Sequence, residues 1–305
     1  MEELPQQPGN TKKRLLLLLK IAVTIFCLWY VSQKIDFSVA GEALSNANWF
    51  YIVLALIAFI LSKLVSAHRL NLYFRDIGLK LPPKKNLELY WLGMFYNLFL
   101  PGAIGGDAYK VIVLSKQFGL PYKKTTAAVL VDRFSGLLGL VLILAVYSLL
   151  LFSGAWAYAL IIGGAIAATL LLFLVTRYYL PDFQKSFLVT LLLGIVVQGL
   201  QVVCAYLIMA ALNITSHSVA YIFLFLVSSA VAVLPLTIGG LGARELVFLE
   251  GARYFGLMEE NSVIISILFY LITLVTSAWG MIYMFKNPLR VRRAKVRSAK
   301  VRDSE

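Results

Sequence analysis

The chain has 305 residues, 60% hydrophobic and only 14% charged, with a mean hydropathy of +0.83. Soluble domains average about 45–50% apolar and about 25% charged residues, so a water-soluble core of ordinary size is excluded and an all-α integral membrane protein is expected. The net charge of +13 reads as positive-inside bias plus attraction to anionic lipid, not as nucleic-acid binding.

A hydrocarbon core of about 30 Å asks for roughly 20 apolar residues per helix. In chain order, six stretches meet that demand: 15–33, 49–67, 125–150, 157–176, 187–211 and 262–285. The first is preceded by KKR and followed by SVA at 38–40, the flanks of a signal peptide. Its length, and a cleavage site lying beyond Lys34 and Asp36, favour an uncleaved span. Lys20 and Lys63, placed near span ends, are expected to snorkel. Trp29, Tyr30, Trp49, Tyr51 and Trp156 suit an interfacial belt. Cys27 and Cys204 lie in apolar runs, and His68 and His217 stand isolated. That pattern offers no metal cluster, and GxSxG, HExxH and P-loop signatures do not occur, so no metal or cofactor is expected.

Two further apolar stretches, 86–117 and 217–252, break at LPGAIGGDAYK (100–110) and LPLTIGGLGARE (234–245). As helices, the halves of the first break, 86–100 and 106–117, measure about 22 Å and about 18 Å. Neither crosses alone, and joined they are too long for one crossing. Read as two re-entrant hairpins, the chain puts 21 Lys and Arg on the inner side and only Lys34 and Arg253 outside; read as full crossings, the split is 16 to 7. The positive-inside rule favours hairpins, with both termini on the cytoplasmic face of the cell membrane.

At an offset of 134 residues Pro101 meets Pro235, Ile104 meets Ile238, Gly105 and Gly106 meet Gly239 and Gly240, and Lys110 meets Arg244. Residues 49–150 and 187–285 therefore read as two copies of one unit, a span, a broken hairpin and a span. The helix at 157–176 links them, so the second copy enters from the opposite side. Inverted repeats with broken helices are a transporter signature. Irregular backbone at membrane depth is tolerated only when buried in protein or lining a wet cavity. Pro101 and Pro235 end each incoming half-helix. Gly102, Gly105, Gly106, Gly239, Gly240 and Gly242 let the chain turn and expose backbone N–H groups to a phosphate.

Asp107, Lys110, Asp132, Arg133, Arg244 and Glu245 all fall at membrane depth, where an ionisable residue reads as functional or paired. The cations suit a phosphate-bearing head group, and the carboxylates suit orienting them or accepting an amine. The tail 286–305 is basic and polar, and an anionic membrane surface attracts such a segment at about 1 kcal/mol per charge.

Three motifs in order, NLFLPGAIGGDAYK, AAVLVDRFSGLLGL (127–140) and LPLTIGGLGARE, resemble the integral-membrane flippase domain of bacterial lysylphosphatidylglycerol synthases and its standalone relatives, over residues 10–287. Members of that family typically show GGD followed by arginine, Glu-Arg-x-x-Gly, and a proline–GG–Gly–Arg-Glu run. Here Asp107 matches the first acid while Lys110 stands for the arginine, keeping charge and losing bidentate geometry. Asp132 stands for the glutamate, with Arg133 and Gly136 retained. Gly239, Gly240, Gly242, Arg244 and Glu245 match the last motif.

What the resemblance implies is flippase-like movement of a phosphate-bearing lipid between leaflets, aminoacylated phosphatidylglycerol being the best-known cargo. The sequence stops about 20 residues after its last span, so the aminoacyl-transfer domain is expected to be lacking and the chain to be a transporter, not an enzyme. A membrane phospholipid is the expected partner, alongside a separate lipid-modifying synthase and a second copy of the chain. Two readings stay open beside it. One is an enzyme or accessory factor acting on a lipid-linked polyprenyl-phosphate substrate. The other is an ion-coupled small-solute transporter using Asp107 and Glu245.

Overall fold

A computed structural model describes residues 18, 21–22, 25–30, 32–33, 37–99, 105–234, 237 and 240–286. Among them every regular element is helical: α1 Phe37–Ser45, α2 Trp49–Asp76, α3 Pro83–Phe99, α4 Gly105–Phe118, α5 Tyr122–Leu151, α6 Ala155–Tyr179, a 3-10 turn Pro181–Ser186, α7 Phe187–Ala211, α8 Ser218–Val233, α9 Ala243–Phe255, α10 Glu259–Ala278 and α11 Met281–Lys286. Five stretches among the described residues are long and apolar enough to cross a membrane: Trp49–Asp76, Tyr122–Leu151, Ala155–Tyr179, Pro181–Ala211 and Glu259–Phe285. The chain is therefore an all-α, multi-pass membrane protein. Most of the expected first span at 15–33, Lys20, the breakpoints Pro101, Gly102, Pro235 and Gly239, and the basic tail after Lys286 lie outside the described residues.

The side chain of Asn48 starts α2 by accepting a hydrogen bond from the Phe50 N–H (3.1 Å), which satisfies one of the donors a helix start leaves open. The helix then runs to Asp76, nine residues past the expected end at 67. This corrects the position of Lys63, which sits at the middle of α2 and not near its end. Arg69, which a span ending at 67 would put among the 21 inner-side charges, is buried inside the same helix.

Helix α2 packs most extensively against α7, and the two run antiparallel. The Asn48 N–H donates to the Ala211 carbonyl (2.8 Å) at one end. At the other end the Tyr73 hydroxyl donates to Thr190 Oγ1 (2.8 Å) and the Ser186 hydroxyl to Asp76 Oδ1 (2.8 Å). Each helix leads directly into a pair of short helices, α2 into α3–α4 and α7 into α8–α9. Because their first helices are antiparallel, the two pairs enter from opposite ends of the molecule.

Both pairs are true hairpins. In the first, the Gly106 N–H donates to Asn97 Oδ1 (2.8 Å), and Tyr96 meets Tyr109 edge-on with ring centroids 5.0 Å apart. In the second, Arg244 of α9 reaches back to Ser229 of α8 and Leu224 lies against Gly251. Glycine is required at the first crossing, since a Cβ on Gly106 would lie 1.9 Å from the Gly93 carbonyl oxygen. Such close backbone approach through small residues is how membrane helices pack without a hydrophobic drive.

Two apolar clusters hold the bundle. One joins α2, α7, α8 and α10 around Phe269, whose ring meets Phe225 at 4.8 Å and Phe59 at 5.4 Å. The other gathers Tyr73, Phe74, Leu89, Leu114, Val131 and Phe183 toward the far end of α2. Between them α2 carries a polar stretch, Ser62, Lys63, Ser66 and Arg69, and there the interior opens.

Candidate functional site

A cavity of about 210 Å³ lies in that gap, walled by α2, the α3–α4 hairpin, α5 and α7. Its charged lining is Lys63, Arg69, Asp107, Lys110, Asp132 and Arg133. Four cations against two carboxylates give the described lining a formal charge of +2. Asp107, Lys110 and Asp132 are each less than 9% exposed, and so is Arg69, at 5%.

The carboxylates are both engaged. Asp107, in the first turn of α4, accepts from Lys110 Nζ (3.2 Å) three residues on and from Arg133 Nε of α5. The lysine side chain crosses Gly93, where an added Cβ would lie 2.3 Å from its Cε, and its ammonium stands 4.9 Å from the Tyr90 ring centroid. Asp132 accepts from Arg69 Nε through Oδ1 (2.8 Å), and its backbone carbonyl accepts from Nη2 (3.0 Å).

That second pair depends on glycine. An added Cβ on Gly136 would lie 2.9 Å from Arg69 Nη2, and one on Gly194 would lie 3.3 Å from Nη1. The guanidinium is thus sandwiched between α5 and α7, which themselves meet where a Cβ on Gly139 would come within 2.7 Å of the Gly194 backbone. Among the described residues Arg69 Nη1 has no hydrogen-bond partner although it is buried. The ammonium of Lys63 meets no carboxylate there either. It lies 4.4 Å from the Phe59 ring centroid, within electrostatic reach of Arg69 and Arg244.

The cavity has a neighbour across the wall that Asp107 and Arg133 form. Asp107, Val129 and Arg133 also line a second, largely apolar hollow of about 350 Å³ between α4 and α5, completed by Ala108, Val111, Ile112, Thr126 and Leu130. Ile112 and Leu130 are 45% and 47% exposed on the outer face of the bundle, and the Arg133 side chain is 40% exposed. Arg133 therefore stands between a polar chamber and an apolar surface groove.

Of the residues expected to form a site, Asp107, Lys110, Asp132 and Arg133 are brought together, while Arg244 and Glu245 lie outside the cavity lining. Arg244 lies over the Phe269 ring, 4.9 Å from its centroid, and reaches Ser229 Oγ (3.4 Å). Glu245 is buried and caps its own helix, accepting from the Gly242 N–H (2.6 Å) and from the Ser266 hydroxyl (2.9 Å). Gly240 and Gly242, at φ +84°, take the left-handed backbone that the turn into α9 requires. In the first hairpin, Asn97 already satisfies the Gly106 N–H and Asp107 faces the positive end of α4. The residues that sequence reasoning missed are Lys63 and Arg69. Their signal was present as two cations six residues apart in one apolar helix, three on either side of Ser66.

The sequence matches the family model described as the lysylphosphatidylglycerol synthase TM region over residues 17–280. It is also similar to a UPF0104 membrane protein of Pyrococcus horikoshii, 29% identical over 124 residues, which cover 40% of this chain and 36% of that protein. The alignment thus spans about a third of the relative's length. The family match extends over nearly all of the described helices, and by it the chain belongs to the lysylphosphatidylglycerol synthase transmembrane-region family.

Proposed function

We propose that this protein moves a phosphate-bearing lipid between the leaflets of the cell membrane, as a transporter without covalent chemistry of its own. The observation that carries this reading is a chamber of formal charge +2 lying next to an apolar, outward-facing groove, with Asp107 and Arg133 lining both. A lipid is polar at one end and apolar along the rest, and this pair of spaces has the same division. The head group would pass Arg133 into the chamber while the acyl chains remain in the groove between α4 and α5, in contact with surrounding lipid. The antiparallel first helices and opposed hairpins supply the two related halves that alternating access uses. The family's description, which names a synthase of a lipid, agrees with this reading. Asp107 would hold Arg133 ready between the two spaces, and the charge bias of the connecting segments would face the Asp76 end of α2 toward the cytoplasm.

Reconstitution tests it. Liposomes carrying the purified protein and a trace of head-group-labelled phospholipid should expose the inner-leaflet label to an impermeant quencher faster than protein-free liposomes do. Rates equal to those of empty liposomes across anionic, zwitterionic, cationic and polyprenyl-phosphate lipids would refute the proposal. A product of altered mass would instead indicate an enzyme.

A further inference from the structure

Both carboxylates in the chamber are already paired with cations of the protein. Asp107 is occupied by Lys110 and Arg133, and Asp132 by Arg69. What the described lining leaves unmatched is donor capacity, at Arg69 Nη1 and at the Lys63 ammonium. Both belong to α2, each three residues from Ser66, so at about 100° per residue they face the chamber from either side of one stripe. Arg69 is 5% exposed and held by Asp132, and its unpartnered Nη1 lies against Gly136 and Gly194 at the chamber wall. A buried donor without a partner costs free energy that a bound acceptor restores, and a guanidinium beside an ammonium suits the oxygens of a phosphate. One buried acceptor in the lining, Gln198 Oε1, is also unpaired and suits a head-group hydroxyl.

We propose that Lys63 and Arg69 form a phosphate seat and that the chamber selects head groups of net negative charge. This rests on the lipid reading above only for the source of the phosphate. The excess of two positive charges, with both acids engaged, opposes entry of a head group that is itself cationic. An aminoacylated lipid is therefore a poor ligand here, and an anionic phosphodiester bearing a hydroxyl is a good one.

The test uses the full chain in detergent, titrated with short-chain phosphatidylglycerol, phosphatidylethanolamine and lysylphosphatidylglycerol, and separately with inorganic phosphate. Phosphatidylglycerol should bind about tenfold or more tightly than the other two lipids, the worth of one charged contact. Lys63→Met should weaken that binding about tenfold without lowering the unfolding temperature, because removing Lys63 strands no carboxylate. Arg69→Lys keeps a charge beside Asp132, loses the second nitrogen, and should weaken binding in the same direction. Competition by inorganic phosphate supports the seat. Inorganic phosphate that binds in a Lys63-dependent way while no lipid does also supports the seat, and makes a soluble phosphate its ligand. Equal affinity for all three lipids, or a Lys63→Met protein that binds phosphatidylglycerol like the parent, overturns the selectivity while leaving lipid movement standing. Failure of every lipid to bind or move overturns the transport reading instead.

Discussion

Leucine at Arg69, at Asp132, or at both positions separates the stability of the chamber from its use. The pair is 5% and 8% exposed, joined at 2.8 Å and braced by a second bond at 3.0 Å to the Asp132 carbonyl. Removing one partner leaves the other charge buried and alone, which costs about 3–5 kcal/mol. Removing both leaves no stranded charge, and replacement of a buried pair by apolar residues is often neutral. A leucine is shorter than the arginine, so a void between Gly136 and Gly194 keeps the double variant about 1–2 kcal/mol below the parent. The expected coupling is about 4 kcal/mol or more. Tryptophan-fluorescence unfolding in detergent should rank parent, double variant, then either single. If the double variant were as unstable as the two singles combined, the pair would be uncoupled and the reasoning wrong. The double variant also carries a functional outcome, since it should fold yet lose anion binding with its Arg69 nitrogen gone.

Three other outcomes follow from the same geometry. Gly106→Ala, whose methyl would lie 1.9 Å from the Gly93 oxygen, must open the α3–α4 crossing. It should cost about 1–3 kcal/mol or more, seen as a lower unfolding midpoint. Leu130→Trp fills the groove between α4 and α5 without touching the phosphate seat. It should slow lipid translocation in liposomes several-fold while phosphate affinity in detergent stays at the parent value. Lys124→Ala removes an ion pair to Asp182 whose side chains are 53% and 44% exposed. Its unfolding free energy should change by less than about 1 kcal/mol.

The parts of this site that the sequence revealed are those set by local rules. Paired glycines after a proline mark a break, and an aspartate three residues before a lysine in a short helix marks a local ion pair, as Asp107 and Lys110 form. Arg69 was hidden because a span was measured by unbroken apolar length, and an arginine there reads as the start of a loop. The helix continues through it because Asp132, 63 residues away, neutralises the charge inside the bundle. Lys63 was misjudged by the same measure, since a span ended at 67 places it near water. The two hairpins also look equivalent in sequence but are not equivalent in space. Helix α5 offers the first hairpin Arg133, which pairs with Asp107, whereas α10 offers the second Ser266 and Phe269. The start of α4 therefore borders a charged chamber, while the start of α9 is packed against α8 and α10.

The sequence by itself determined that the chain lives in a membrane and that two of its apolar stretches are carried by short helices, because hydropathy, proline and glycine act on neighbouring residues. Only the tertiary structure decided which charges cancel and which are left over. Cancellation depends on side chains from α2, α4 and α5 meeting in a buried interior, and no local pattern records which distant partner will arrive. The leftover donors at Lys63 and Arg69, more than the glycine-rich motifs, define what this chamber is suited to hold.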